Sequence, residues 1–287
     1  MYNIIFNPVA GKQKAFKNLD VVERIMQERG VEYQVHKSGG IHDAEYIARR
    51  ITQEGETDII VLGGDGTLNE VLNGLDNPSV CKLGLVPSGT GNDFAARMNI
   101  PSDSEKAILR ILDGEAKPVD YMDISGTRSM NVAGLGIDVD VLERCQRGKL
   151  KGKIKYLLSL IKSLLCFKGI KVKIERENGE TETREVLICA VCNGSLFGGG
   201  IKICPAADPT DEQLDVVIVD CIGGVFKIIQ AFMVLMKGNI LQYPLTTYFK
   251  AEKVTLVPEE KCPIQLDGEL YQNHKFEATL CKGLKFY

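Results

Sequence analysis

Ten consecutive residues restrict this chain more than any others. In Val61-Leu62-Gly63-Gly64-Asp65-Gly66-Thr67-Leu68-Asn69-Glu70 an apolar strand breaks into three glycines around one carboxylate, and a helical stretch follows at once. Glycines lack Cβ, so phosphate oxygens can reach backbone N–H groups, and the helix adds its positive N-terminal end. Thr67 and Glu70 match the capping-box spacing, which predicts a helix that starts at this threonine and leaves Asp65 outside it. A carboxylate beside phosphates repels them, so the natural task of Asp65 is to hold Mg2+, directly or through water. An ordinary strand-to-helix turn is the alternative for a bare Gly-Gly-x-Gly.

The surrounding pattern sets the fold class. Strands at Tyr2–Phe6, Glu32–Lys37, Asp58–Leu62 and Lys82–Val86 alternate with helical stretches near Lys17–Arg29 and Asp43–Gln53. That rhythm predicts an α/β N-terminal domain, a parallel sheet with flanking helices. A second glycine-rich turn, Pro87-Ser88-Gly89-Thr90-Gly91-Asn92-Asp93, follows the fourth strand. Ligands of open α/β sheets collect at such strand ends, so the two glycine loops predict one shared site. Beyond Asp120 strands follow strands: Ile170–Arg176, Glu185–Val191, Leu214–Val219, Tyr248–Val257, Pro263–Leu266, Lys275–Leu280 and Leu284–Tyr287. This predicts an antiparallel β-sandwich C-terminal domain, interrupted by helices near Ile154–Phe167 and Val225–Met236. The expected division is 1–122 and 123–287, with the active site in the interdomain cleft.

Composition excludes several classes. A chain of 287 residues with net charge -3 is not a polyelectrolyte binder, so no nucleic-acid partner is expected. No apolar run reaches membrane-spanning length, and no signal-peptide pattern precedes the first strand, so the expectation is a cytoplasmic protein. A homo-oligomer is compatible with the sequence. The nine cysteines are scattered and read as reduced, packed thiols. Cys189 and Cys192 lie three apart on a strand and should point to opposite faces, against a zinc or redox role. The three histidines share no ligand spacing and are assigned no chemistry.

Common nucleotide motifs fail. There is no G-x-x-x-x-G-K-[ST], the dinucleotide pattern has Asn69 where its third glycine belongs, and the protein-kinase signatures are absent. What remains is an unusual ATP site built from Asn7-Pro8-Val9-Ala10-Gly11-Lys12, the Gly63 loop and the Gly89 loop. Nearly end to end the sequence resembles the diacylglycerol kinase catalytic family, in its soluble bacterial lipid-kinase form, with sphingosine and ceramide kinases as relatives. The resemblance rests on Asn7-Pro8-x-x-Gly11, Gly63 to Val71, Pro87 to Ala95, Val119-Asp120, Gly198-Gly199-Gly200, Leu214-Asp215-Val216-Val217 and Leu266-Asp267-Gly268-Glu269. Gly-Gly-Asp-Gly-Thr is shared with NAD kinases and phosphofructokinases; the Asn69-Glu70 extension and the Pro87 to Asp93 block are far more specific.

The resemblance implies roles at matching positions. Asn7, Pro8, Gly11, Lys12, Ser38, Gly63, Gly64, Asp65, Gly66, Thr67, Asn69, Glu70, Gly89, Thr90 and Gly91 look like ATP contacts. Asp65, Asp93 and Asp120 are similar to the trio that holds the catalytic Mg2+ through a water network. Glu269 looks like the general base, which suits chemistry in which an attacking alcohol sheds its proton. From the residues alone, Asp267-Gly268 is a hairpin turn. Asp211, with carbonyls near Asp208 and Gln213, is similar to a structural Mg2+ site, although Glu212 stands where relatives usually have Gly. Ala10 stands where relatives often have Ser.

Toward the substrate, Arg147 to Lys173 carries nine basic residues and no acidic one. Ile154, Leu157, Leu158, Ile161 and Leu165 fall on one helical face and Lys151, Lys155 and Lys162 on the other, which suits either a core-packed helix or an anionic bilayer surface. The helix from Val225 to Met236 is nearly apolar all round, which burial or lining of an acyl-chain cleft would explain. Together these features imply an ATP- and Mg2+-dependent kinase acting on a lipid hydroxyl, diacylglycerol to phosphatidic acid first, with a lipid substrate at the membrane and transient contact with its inner face. The alternatives are a kinase for a sphingoid base, ceramide or phosphatidylglycerol, a soluble kinase of the NAD-kinase type, and a non-catalytic nucleotide or lipid binder.

Overall fold

The computed structural model describes residues 1–11, 14–147, 153–272 and 275–287; residues 12–13, 148–152 and 273–274, and the side chains of 153–157, lie outside the description. The chain divides into two compact units: Met1–Tyr121 with Arg128–Met130 and Cys281–Tyr287, and Met122–Thr127 with Asn131–Leu280.

In order, the first stretch gives β1 (Tyr2–Phe6), α1 (Lys14–Glu28), β2 (Tyr33–Lys37), α2 (Asp43–Gln53), β3 (Asp58–Gly63), α3 (Asp65–Gly74), β4 (Lys82–Pro87), α4 (Asp93–Arg97), α5 (Ser104–Asp113) and β5 (Lys117–Ile124). Strands β2, β1, β3 and β4 lie side by side and parallel. Ile4, Ile5, Ile59, Ile60, Val61 and Leu62 are fully buried, because helices cover both faces of a parallel sheet. Helix α5 has a cap readable in the sequence, Asp103, whose side chain accepts from the Lys106 N–H at 3.0 Å.

The remaining elements are β6 (Thr127–Ser129), β7 (Val132–Gly136), α6 (Ile137–Arg147), α7 (Lys153–Cys166), β8 (Ile170–Arg176), β9 (Thr181–Cys192), β10 (Leu196–Phe197), β11 (Ile201–Lys202), β12 (Leu214–Asp220), α8 (Gly224–Met236), β13 (Thr246–Ala251), β14 (Lys253–Pro258), β15 (Ile264–Leu266), β16 (Glu269–Tyr271) and β17 (Phe276–Phe286). The second unit is an antiparallel sandwich, and β9 is its hub, pairing with β7, β8 and β12. Cys189 joins one apolar cluster and Cys192 the other, so the strand does send them to opposite faces. Burial raises both thiol pKa values, keeping them protonated.

Several boundaries differ from expectation for tertiary reasons. The run Tyr248–Val257 is two strands, β13 and β14, because β13 pairs with β12 whereas β14 pairs with β8 and β17. The two expected C-terminal strands are one, β17, whose last residues run parallel to β4. That pairing is why Cys281–Tyr287 belongs to the first unit rather than to a C-terminal domain of 123–287. On α7, Leu158, Ile161 and Leu165 are exposed together with Lys162, and Ser159 and Ser163 are buried, so the expected apolar face does not pack inward at these positions. Among the described residues no helix is long and apolar enough to cross a membrane.

Candidate active site

Four strand ends of the first unit meet at one edge. Ser38, after β2, donates its N–H to the Phe6 carbonyl at 2.9 Å. Asn7, after β1, donates its side-chain amide to the Thr67 hydroxyl at 2.9 Å, and its Oδ1 accepts from the Val9 N–H at 3.1 Å, folding Pro8 and Val9 into a tight turn. Ser88, after β4, donates its N–H to the Gly63 carbonyl at 2.7 Å.

Glycines make this convergence sterically feasible. A Cβ on Gly89 would lie 2.5 Å from the Gly64 Cα, and one on Gly11, where φ is +58°, would lie 2.2 Å from the Ser88 carbonyl oxygen. No side chain fits at either place, so the three loops touch backbone to backbone. Gly66, Thr90 and Gly91 are exposed on the same loops. Asn92, at φ +55°, exchanges two side-chain hydrogen bonds with Gly89 and closes the second loop. Lys12 lies outside the described residues.

The helix after β3 begins at Asp65, two residues earlier than the capping-box spacing predicts. Gly64 is its cap and supplies no side chain. Thr67 bonds Asn7 instead, and Glu70 reaches the Ala44 N–H at 3.2 Å, at the start of α2, whose own cap residue His42 makes no side-chain capping bond. Glu70 therefore caps a neighbouring helix, a pairing invisible to local spacing. Asn69 is buried, with its oxygens accepting from the Asn73 amide at 2.9 and 3.2 Å.

Asp65 lies in the first turn of α3, and its two oxygens accept from the N–H groups of Asp93 and Phe94 at 3.1 and 3.2 Å. It thereby joins the starts of α3 and α4. One N–H per oxygen leaves lone pairs on both, so the carboxylate can still accept from water bound to a cation. Asp93 and Asp120 are both buried. Among the described residues no three acidic, histidine or cysteine side chains converge to ligate an ion directly, so the donor set fits only water-mediated retention of Mg2+.

In the second unit Glu269 opens β16. The loop Asp267-Gly268 has φ of +50° and +89° and pairs Leu266 with Glu269, so it is the two-residue hairpin its sequence suggests. Asp267 Oδ1 accepts from the N–H groups of Asn131 and Val132, both at 2.9 Å, and fixes the hairpin to the start of β7. The hairpin and the chemical assignment are compatible: the turn presents Glu269.

Sequence reasoning missed Asp138. It lies at the start of α6, buried, and lines a cavity of about 110 Å³. The lining is mostly aliphatic and aromatic, including Leu160, Leu164, Leu187, Ile228, Phe232 and Leu235, and also includes Gln265 and Gly268 of the Glu269 hairpin. Neither Asp138 oxygen nor Gln265 Nε2 finds a partner at hydrogen-bonding geometry. Burial pushes the Asp138 carboxyl up to about 6, with neighbouring backbone N–H groups and Gln265 only partly offsetting it. Gly134 leaves room for this group, since a Cβ there would be 2.9 Å from Asp138 Oδ2. The available signal was Gly134-Leu135-Gly136-Ile137-Asp138, a glycine-flanked strand end running into a carboxylate.

The implied structural Mg2+ set does not fit. Asp211 Oδ2 is paired with the Lys250 ammonium at 2.5 Å and its other oxygen accepts from the Gln213 N–H at 3.2 Å. Asp208 Oδ1 accepts from the Thr210 N–H and hydroxyl at 3.1 and 2.7 Å. An ammonium already neutralises the carboxylate that a cation would use.

Two family models match the chain. The diacylglycerol kinase catalytic domain matches residues 1–124, and the YegS C-terminal NAD kinase beta sandwich-like domain matches residues 131–280. Diacylglycerol kinase of Bacillus subtilis is 30% identical over 274 residues, 93% of this chain and 88% of that protein. The chain belongs to the diacylglycerol kinase family. Diacylglycerol kinase of Staphylococcus carnosus is also 30% identical, over 93% of this chain and 87% of its own. A crystal structure of a diacylglycerol kinase from Bacillus anthracis superposes with a TM-score of 0.81 at 26% identity, covering 99% of this chain and 96% of the other. The protein is a lipid kinase of this family, a phosphotransferase that uses a nucleotide donor.

Proposed function

We propose that the protein transfers the γ-phosphoryl group of ATP to the hydroxyl of a lipid, with diacylglycerol as the acceptor and phosphatidic acid as the product. One observation supports the acceptor class: Gln265 and Gly268, of the hairpin that bears Glu269, help line an apolar cavity. Acyl chains suit its aliphatic walls, and a glycerol hydroxyl suits the buried Asp138 carboxyl and Gln265 amide that share the lining. The dinucleotide of an NAD-kinase-type reaction would bring charged phosphates and polar sugars to the same walls.

Phosphates rest against the backbone N–H groups of the Gly63–Gly66 and Ser88–Gly91 loops and the turn from Asn7 to Gly11. Mg2+, retained through water by Asp65, Asp93 and Asp120, would offset phosphate charge. Glu269 accepts the proton of the attacking hydroxyl. Asp138, near neutrality, donates to or accepts from the lipid's polar head and keeps the hydroxyl oriented. Lipid kinases act on bilayer substrates, so the protein works at the inner face of the membrane as a peripheral visitor.

The test offers labelled ATP with diacylglycerol, monoacylglycerol, phosphatidylglycerol, sphingosine, ceramide and NAD in turn, reading product by mass. Phosphatidic acid is the expected product; labelled NADP without any labelled lipid would sink this reading.

A further inference from the structure

Gln265 is a buried amide among core residues. Its strand neighbours Ile264 and Leu266 belong to the apolar core, and Gln265 itself is 1% exposed. Burying an amide is costly unless it is partnered. One end has its partner: Oε1 accepts from the Gly268 N–H at 2.9 Å. Gly268 is the second residue of the hairpin turn, at φ +89°, and Glu269 follows it directly. The other turn residue, Asp267, is held separately, by the N–H groups of Asn131 and Val132. Each turn residue thus has its own anchor, and the one nearer Glu269 is Gln265.

The other end of this amide belongs to the cavity. Strand register sets Gln265 directly opposite Gly134, where no side chain competes for space. Two polar groups crowd that spot: a Cβ on Gly134 would lie 2.9 Å from Asp138 Oδ2 and 3.2 Å from Gln265 Nε2. Nε2 therefore lies beside the carboxyl, without an acceptor at hydrogen-bonding geometry. Gln265, Asp138 and Gly268 all line the apolar cavity. A hydroxyl has both the donor and the acceptor needed to bridge the carboxyl and the amide. Packing alone asks for no amide here, since an apolar side chain of similar volume would fill the same space.

We propose that Gln265 is the positioning residue of the Glu269 turn. Its Oε1 fixes the Gly268 N–H, and its Nε2, beside Asp138, ties the place of the turn to the polar group of an acceptor in the cavity. Acceptor binding and placement of the proton-accepting residue are then linked through one side chain. This deepens the lipid-kinase reading and rests on it.

Steady-state kinetics with labelled ATP and short-chain diacylglycerol in detergent micelles at pH 8 test the link. Gln265→Met, close in volume, should lower kcat about a hundredfold while KM for Mg-ATP is unchanged, with circular dichroism showing a folded protein at the assay temperature. Gln265→Glu keeps an acceptor for Gly268 but sets a second carboxylate beside Asp138, and should be as slow. The exchanged pair Asp138→Asn/Gln265→Glu again offers one amide and one carboxylate, and should recover about tenfold over Gln265→Glu. From the facing strand, Gly134→Ala crowds both groups and should lower kcat about tenfold. Wild-type kcat in folded Gln265→Met overturns the proposal, and so does an exchanged pair no faster than Gln265→Glu. If Gln265→Met does not fold, Gln265→Asn, whose amide is one methylene short of Gly268, is judged by the same kcat. Failure of the lipid-kinase reading looks different: wild type itself labels no lipid, and this proposal falls with it.

Discussion

The loop cluster of the first unit and the cavity of the second are built on opposite plans. In the loops backbone meets backbone: Gly11 against Ser88 and Gly64 against Gly89, at distances that exclude a side chain. In the cavity side chains do most of the shaping, and its polar side chains come from two residues far apart in sequence, Asp138 and Gln265. A surface of N–H groups recognises any phosphate, whereas a shaped apolar wall selects one acceptor. On the proposed reading, donor binding is written in glycines at fixed spacing and acceptor choice in packing.

Mutations can break or sharpen this contrast. Glu269→Gln should lower kcat by two to four orders of magnitude while Mg-ATP affinity and melting temperature stay unchanged; near wild-type turnover removes Glu269 from the proton-accepting role. Asp138→Asn should remove a pH dependence. The folded carboxyl titrates near 6 against 3.8 unfolded, so the folded state holds the proton more tightly. Stability is then greatest below about pH 4, falls as pH rises through 6, and is flat above. By that linkage wild type should lose up to about 3 kcal/mol between pH 4 and pH 8, and the asparagine variant should lack this loss and be less pH-sensitive between pH 4 and 6. Parallel melting curves for the two proteins across that window would contradict the assignment.

Gly89→Ala should cost about 2 kcal/mol, because its Cβ meets the Gly64 Cα, and should weaken Mg-ATP binding while leaving lipid binding intact. Gly40→Ala, with nothing within 4 Å, is the matching neutral control in calorimetry. The smallest effect concerns the second unit's acidic turn. Since Lys250 already pairs with Asp211, chelation with EDTA should leave the melting temperature unchanged, and Lys250→Met should cost about 1 kcal/mol or less, the pair being part-exposed. A chelator-induced drop in melting would instead reveal a cation in this turn.

Much of this was legible from residue order. The parallel strands and their helices, the antiparallel second half and the opposed faces of Cys189 and Cys192 all follow from hydrophobic period and glycine placement. The glycine loops and the Asp267-Gly268 turn were equally plain, because their conformations are set within a few residues. The capping box failed since Thr67 and Glu70 found better partners in Asn7 and Ala44, tens of residues away. The apolar side of α7 left two readings open, a core-packed helix or a bilayer surface, because amphipathic spacing alone does not fix what a helix face meets.

Sequence by itself determined the loops, since only glycine can bring backbone so close, and the α/β and sandwich halves, since period dictates secondary structure. Tertiary structure alone decided that Glu70 caps α2, that Asp138 and Gln265 end one cavity, that Lys250 neutralises Asp211 and that α8 leaves half its apolar surface outside. Each of those depends on which distant segment arrives as neighbour. Burial and partnering are properties of that arrangement, and no local pattern encodes them.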